Sequence, residues 1–204
     1  MKSKTLSLSI IFWTFIFFLL IGCSQNLMDA DLIGNENCYP PCWEGIRPGV
    51  SKQSEVVEKL NDLEASGNGR LNLLPEGITW ESYDGKTYSL TVNNQLVTRI
   101  ELEVKATTMR ELLSQFGEPS HLLVDDIQKD AYSLLLFYPE EGLVFRTAAN
   151  RSILEIKPNM IVIAASFLTP AEFSDFLFAF YGNKYDNVIL EGIKEWKGYG
   201  EISP

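Results

Sequence analysis

The feature that most constrains the fold of this chain is a change in hydrophobic spacing that occurs twice. Apolar residues first recur at helical spacing, which predicts a helix over about residues 51–65 with Ser51 as its N-cap. The pattern then becomes strict alternation in Tyr88–Val92 and again in Ile100–Val104, on either side of a turn at residues 93–95. This alternation predicts an antiparallel hairpin with one face in water.

The same order of elements recurs in the second half of the chain. Thr108 and Glu111 have the spacing of a capping box, which predicts a helix over about residues 108–116. Gly117 and Pro119 then end this helix. Three apolar segments that follow are predicted to be strands, namely Tyr132–Tyr138, Leu143–Thr147 and Met160–Phe167.

A third helix is predicted at about residues 170–181, where Thr169 and Glu172 form another capping-box pattern. Its aromatic stripe, which includes Phe173, Phe176 and Phe180, is typical of a buried helix face. Together these elements predict an α+β fold in which an antiparallel sheet carries its helices on one face. The repeated order of helix and then strands favours two tandem repeats.

The first 22 residues have the composition of an export signal. Lys2 and Lys4 precede an apolar run, and the small residue Gly22 lies directly before Cys23. The sequence Leu20-Ile21-Gly22-Cys23 resembles the lipobox of bacterial lipoproteins. This resemblance implies cleavage before Cys23, its acylation with chains such as palmitate, and an extracytoplasmic position on the bacterial cell membrane or outer membrane. A permanent transmembrane helix is the alternative, because the run approaches the ~20 residues that cross a bilayer.

The lipoprotein interpretation divides the chain into a signal peptide (1–22), a flexible tether (23–37), a first α+β repeat (38–105), a second repeat with a closing helix (106–182) and a C-terminal tail (183–204). Loss of the signal removes two lysines and no acidic residue, so the net charge changes from −10 to −12. An acidic surface repels phosphates, which excludes nucleic acid as a partner.

The two remaining cysteines, Cys38 and Cys42, form an even pair in an exported chain and predict a disulfide. The alternative is thiol or metal chemistry. The spacing of the pair is similar to the copper site of Sco-type proteins, in which a distant histidine adds a ligand, and His121 could take that position. Those proteins carry a thioredoxin-like βαβ pattern around the motif, however, and no strand is predicted before Cys38.

Two short motifs resemble the small outer-membrane assembly lipoproteins of the BamE (SmpA/OmlA) type. Gly45-Ile-Arg-Pro-Gly-Val-Ser51 leads into a helix as their opening does, and Phe116-Gly-Glu-Pro119 matches the phrase that ends their helix. Neither half of this chain carries both motifs. A tandem version of the unit is similar to the β-lactamase inhibitor protein. The resemblance covers about residues 42–168, and it implies an interaction through protein contacts without transferring any binding residue.

The sequence contains little that supports catalysis. His121 is its single histidine and is predicted in a loop, and no nucleophile, zinc or nucleotide-binding motif is present. No catalytic residue, metal site or cofactor is therefore predicted. Trp80, Tyr83 and Tyr88 are candidate contact residues for an envelope protein, with a place in the core as the alternative. The favoured function is a lipid-anchored, non-enzymatic protein-binding module; the alternative is an unrecognised envelope enzyme or a thiol- or metal-handling protein that uses Cys38 and Cys42.

Overall fold

A computed structural model describes Leu32 and residues 37–75, 77–128, 131–150, 155–182 and 192–202 of the chain. The predicted signal peptide and the predicted lipid-attachment site Cys23 lie outside these residues. Within the described ranges, no helix is both long enough and apolar enough to cross a membrane.

The described residues contain three helices and eleven strands. The helices are α1 (Gln53–Ala65), α2 (Met109–Phe116) and α3 (Phe173–Tyr181). The strands are β1 (Gly69–Leu74), β2 (Gly77–Ser82), β3 (Thr87–Asn93), β4 (Leu96–Thr108), β5 (His121–Gln128), β6 (Ala131–Tyr138), β7 (Leu143–Asn150), β8 (Glu155–Ile156), β9 (Ile161–Leu168), β10 (Ile193–Glu195) and β11 (Gly200–Glu201).

Nine of these strands form one sheet in the order β1-β2-β3-β4-β9-β7-β6-β5-β10, and β8 pairs separately with β11. Every ladder in the described sheet is antiparallel, which confirms the predicted α+β class. The long strand β4 pairs with β9 at the centre. The part of the predicted tail that the structure describes is ordered, because β10 extends the sheet beside β5.

The sheet has two faces, which alternate residues of β6 define. Leu134, Leu136 and Tyr138 point to face A and belong to the same core as α1 and α2. Leu135 and Phe137 point to the opposite face B and pack with α3. The prediction that all helices lie on one face is therefore wrong for α3. The physical reason is the unbroken apolar run of β6, which needs cover on both faces.

Face B is covered unevenly. The predicted register of the β3–β4 hairpin is confirmed, since Tyr88 and Leu90 are buried on face A while Ser89 and Thr91 are exposed on face B. The α3 core involves β5, β6, β7 and β9. Face B of strands β2–β4 therefore remains open to solvent.

Three strands lie where the sequence pattern does not predict any. Strands β1 and β2 occupy residues between α1 and the predicted hairpin, and β5 begins at His121. Strand β1 is an edge strand with Leu73 and Leu74 exposed, so it lacks the alternation that marks a half-buried strand. His121 is consequently a sheet residue and not a loop residue.

Two helix starts also differ from the predictions. The N-cap of α1 is Lys52, because the hydroxyl of Ser51 accepts a hydrogen bond from the Arg47 backbone N–H at 2.9 Å. Helix α3 begins at Phe173 and not at residue 170, because the Ala171 N–H donates to the carbonyl of Pro139 at 3.2 Å. The capping box of α2 is confirmed, with the Thr108 N–H donating to Glu111 Oε2 at 2.8 Å.

The segment before α1 is packed onto the sheet. Cys38 and Cys42 form the predicted disulfide. Trp43 stacks on Tyr88 of β3, with ring centroids 4.3 Å apart. Leu32 is also buried in the face A core, so the tether predicted for residues 23–37 is packed at this position.

Candidate functional site

The three predicted contact residues do not form an exposed cluster. Trp80 and Tyr88 are 3% and 4% exposed and belong to the face A core. Tyr83, at 75% exposure, is the exposed member. For Trp80 and Tyr88 the alternative prediction, a place in the core, is confirmed, because the two residues point into the core from neighbouring strands and pair directly with each other.

The disulfide limits what the cysteines can do in this state. A thiolate is the metal ligand and nucleophile, and Cys38 and Cys42 are bonded to each other. Among the described residues, no three His, Cys, Asp or Glu side chains are grouped to hold a metal ion. The loop instead supports a neighbouring turn, because Pro41 lies against Gly142.

A pocket of about 670 Å³ lies beside this turn and the start of α3. Four carboxylates line it, those of Glu118, Glu140, Glu141 and Glu172. Within the part of the chain that the structure describes, none of the four makes an ion pair. Burial raises the pKa of Tyr138 on the pocket wall, and Glu141 adds to the shift, so this hydroxyl remains a donor, to the Gly117 carbonyl at 3.1 Å.

Ser120 and His121 form the one feature of this pocket that resembles catalytic chemistry. His121 Nδ1 lies 3.0 Å from Ser120 Oγ, and the same Oγ donates to the carbonyl of Phe137 at 3.1 Å. Because the hydroxyl donates to that carbonyl, it can accept only from the tautomer that carries a proton on Nδ1, and in that tautomer the imidazole is not placed as the general base of the serine. The His121 ring stacks on Phe173, with centroids 3.8 Å apart. Ser120 therefore connects the start of β5 to β6 through its hydrogen bond, and His121 connects β5 to α3 through its ring.

The electrostatics of His121 agree with a packing role. Burial lowers the pKa of His121, and the negative charge of Glu195 partly opposes the shift. The neutral ring is therefore favoured at pH 7, consistent with its stacking on an aromatic neighbour.

The second candidate surface is the uncovered part of face B, which we call the open face. Eight polar residues of β2–β4 lie on it: Thr79, Glu81, Thr87, Ser89, Thr91, Arg99, Glu101 and Glu103. Five of them are exposed and none is buried. A groove of about 290 Å³ lies where the open face meets α3 and β9.

Arg99 fixes the boundary between the open face and α3. Its Nη1 donates to the carbonyl of Phe180 at 2.9 Å, and its Nε lies 3.4 Å from Glu101 Oε1 as an ion pair without hydrogen-bond geometry. The guanidinium also lies 5.7 Å from the centre of the Phe180 ring. A cation at a helix C-terminus satisfies a free carbonyl and interacts favourably with the helix dipole. Arg99 therefore anchors α3 on β4.

The polar alternation of β3 and β4 was the sequence signal for the open face. It predicted one wet face of the hairpin, but nothing in it indicated that the neighbouring strands would be covered by a helix on that same side. The groove exists because of this difference in cover.

The chain matches no protein-family model, no curated protein and no solved structure. The resemblance to BamE-type lipoproteins therefore stays a prediction that rests on the two short motifs.

Proposed function

We propose that this protein is a lipid-anchored, extracytoplasmic binding module of a bacterial envelope that acts through protein contacts and not through catalysis. The observation that carries the proposal is the open face. Hydroxyls and charges lie there on a sheet whose opposite side is a packed core. Polar groups on a rigid sheet lose little conformational entropy when a partner binds, which favours recognition.

We infer that the fold consists of two related units. Helix α1 is followed by β1–β4, and α2 is followed by β5, β6, β7 and β9, with α3 as an addition. The last strand of the first unit, β4, and the last strand of the second unit, β9, are antiparallel neighbours at the centre of the sheet. This order is the one that a local two-fold relation between the units would produce, and it agrees with the predicted tandem repeat.

The lipid anchor is proposed at Cys23, on the basis of the lipobox-like end of the apolar run. Attachment there leaves nine residues to Leu32, which is packed in the face A core, and nine residues reach at most about 30 Å when extended. Tethering of this kind raises the effective concentration of the module near envelope partners. Mass spectrometry of the protein isolated from membranes tests the anchor: an acylated N-terminal Cys23 supports it, and an intact Met1 refutes it.

An envelope enzyme is the competing function, and the pocket at Ser120 and His121 is the observation that favours it. The hydrogen-bond directions described above argue against an activated serine. A screen of the full-length protein against ester, phosphate, glycoside and cell-wall substrates tests this function. Turnover that is abolished by Ser120→Ala or His121→Ala alone would refute a binding-only role.

A matched pair of variants tests the use of the open face. Ser89 is exposed at the middle of this face, and Ser114 is exposed on α2, which packs on face A. Full-length Ser89→Arg and Ser114→Arg are compared for the amount of envelope protein that each captures after chemical crosslinking. We expect Ser89→Arg to lose the partner and Ser114→Arg to retain it. Equal retention by both folded variants would refute the proposed surface.

A further inference from the structure

The groove beside the open face contains a positive charge that the fold does not use. Arg146 on β7 lines this groove opposite Glu101 and Glu103 of β4. We propose that the groove binds the carboxylate side chain of an Asp or Glu residue of the partner protein through Arg146. This proposal rests on the proposed function, because it specifies one contact within the same surface.

The position of Arg146 follows from the sheet register. Arg146 lies between Leu135 of β6 and Ala164 of β9, and all three point to face B. Ala164 is small, and it separates Arg146 from β4 by two strand spacings, about 10 Å. The guanidinium therefore faces a gap on this side, and the groove occupies that gap.

Arg146 has no partner among the residues that the structure describes. It makes neither a hydrogen bond nor an ion pair there, and its Nε is shielded from water without an acceptor. A shielded donor on a charged group is unfavourable until an acceptor reaches the group. An incoming carboxylate cannot reach the shielded Nε, but neither Nη atom is shielded in this way or has a partner among the described residues, so the Nη atoms are the donors that it meets.

The nearby Arg99 provides an internal comparison. Its guanidinium is held by the Phe180 carbonyl and by Glu101, so its charge is already used by the fold. The ion pair with Arg99 also partly neutralises the charge of Glu101. Of the described residues that line the groove, Arg146 is the one cation.

The surroundings favour a carboxylate over a phosphate. Glu103 lines the groove across Ala164 from Arg146, and its charge repels a dianion more strongly than a monoanion. One guanidinium matches one carboxylate in a planar, two-bond geometry. The groove volume of about 290 Å³ is at the lower limit of small-molecule sites, and it suits a single side chain.

The test follows the arginine side-chain N–H signals of the ¹⁵N-labelled full-length protein by NMR. Arg146→Lys assigns the Arg146 signal by its loss. The probes are the end-blocked tripeptide Ala-Glu-Ala, its Ala-Gln-Ala analogue and inorganic phosphate. We expect a saturable shift of the Arg146 signal with Ala-Glu-Ala and about tenfold weaker binding of Ala-Gln-Ala, as the loss of one charge-assisted contact would give. Phosphate should also bind more weakly than Ala-Glu-Ala, because the acidic residue in the groove repels its second charge.

Two variants complete the experiment. Arg146→Gln should abolish the saturation that other groove signals show with Ala-Glu-Ala, while Arg110→Gln on α2 should leave it unchanged. Equal affinity for Ala-Gln-Ala, or tighter binding of phosphate, would overturn the assignment of a carboxylate.

The outcome is separable from that of the proposed function. If Ser89→Arg abolishes partner capture and Arg146→Gln leaves it unchanged in a folded protein, the groove assignment fails and the binding role stands. If the Arg146 signal saturates with Ala-Glu-Ala while the Ser89→Arg variant captures the partner normally, the carboxylate assignment stands and the open face is not the surface that binds the partner.

Discussion

Replacement of Arg99 by methionine should loosen α3 from the sheet. Methionine keeps an apolar stem of similar length but removes the guanidinium, and with it the bond to the Phe180 carbonyl, the ion pair with Glu101 and the contact with the Phe180 ring. A hydrogen bond from a charged group contributes about 1.5–3 kcal/mol and a partly exposed cation–π contact ~0.5–1 kcal/mol. The ion pair adds little, because both side chains are partly exposed at 28% and 42%. Since these contributions overlap, we expect a loss of about 2–3 kcal/mol in the free energy of unfolding.

The assay for Arg99→Met is urea denaturation of the full-length protein, with hydrogen exchange to locate the change. For a chain of this length the loss corresponds to a decrease in Tm of about 4–12 °C. Amides of α3 should exchange faster, while those of α1 should not. Arg70→Met is the matched control, because Arg70 is exposed on the edge strand β1 and should change stability by less than about 0.5 kcal/mol. A loss for Arg99→Met as small as that of the control would show that Arg99 does not anchor α3.

Three further predictions concern the turn, the disulfide and the histidine. Gly142→Ala should destabilise the protein by about 3 kcal/mol or more in urea denaturation, because φ is +72° and the added Cβ would meet the Leu168 carbonyl oxygen; an effect under about 1 kcal/mol would contradict the packing of this turn. The double variant Cys38→Ser with Cys42→Ser should lose about 2 kcal/mol, as expected for a small closed loop, and an unchanged urea midpoint would contradict this. Burial lowers the pKa of His121 below its usual 6.5, so the unfolded state binds the proton more tightly than the folded state does. The free energy of unfolding should therefore keep the full contribution of this residue above pH 6.5 and lose it as the pH drops through the lower folded-state pKa. His121→Phe should reduce this pH dependence, and an NMR titration midpoint at or above the usual value would refute it.

The helices and the central hairpin were predictable because their burial is periodic. Leu90 and Ile100 pair across the hairpin as alternation requires, and Thr108 caps α2 as its spacing with Glu111 indicates. These features depend on residues close together in sequence, and local patterns therefore contain them.

The location of α3 was not predictable in the same way. The run Leu134–Phe137 is apolar at every position, so its pattern shows that both faces are buried but not what covers each of them. The N-terminus of α3 also depends on the Pro139 carbonyl, which lies more than 30 residues earlier in the chain. Tertiary contacts of this kind displace a helix start from its local capping signal.

The candidate site was predictable only in part. The polar side of the hairpin anticipated the open face, through Ser89 and Thr91. The anchoring of Phe180 by Arg99 joins residues 81 positions apart, and the isolation of Arg146 depends on Ala164 in a different strand. Neither relation produces a local pattern in the sequence, so the sequence points to aromatic residues as contact candidates instead.

Site-specific photocrosslinking in the bacterial envelope tests the central claim most directly. A photoreactive residue is placed in the full-length protein at Ser89 or Thr91 on the open face, and at Ser114 or Gln115 on α2 as controls. We predict a discrete protein adduct from the two open-face positions and none from the α2 positions. Adducts of the same protein from α2 alone, or equally from all four positions, would contradict the claim that this protein binds its partner through the open face.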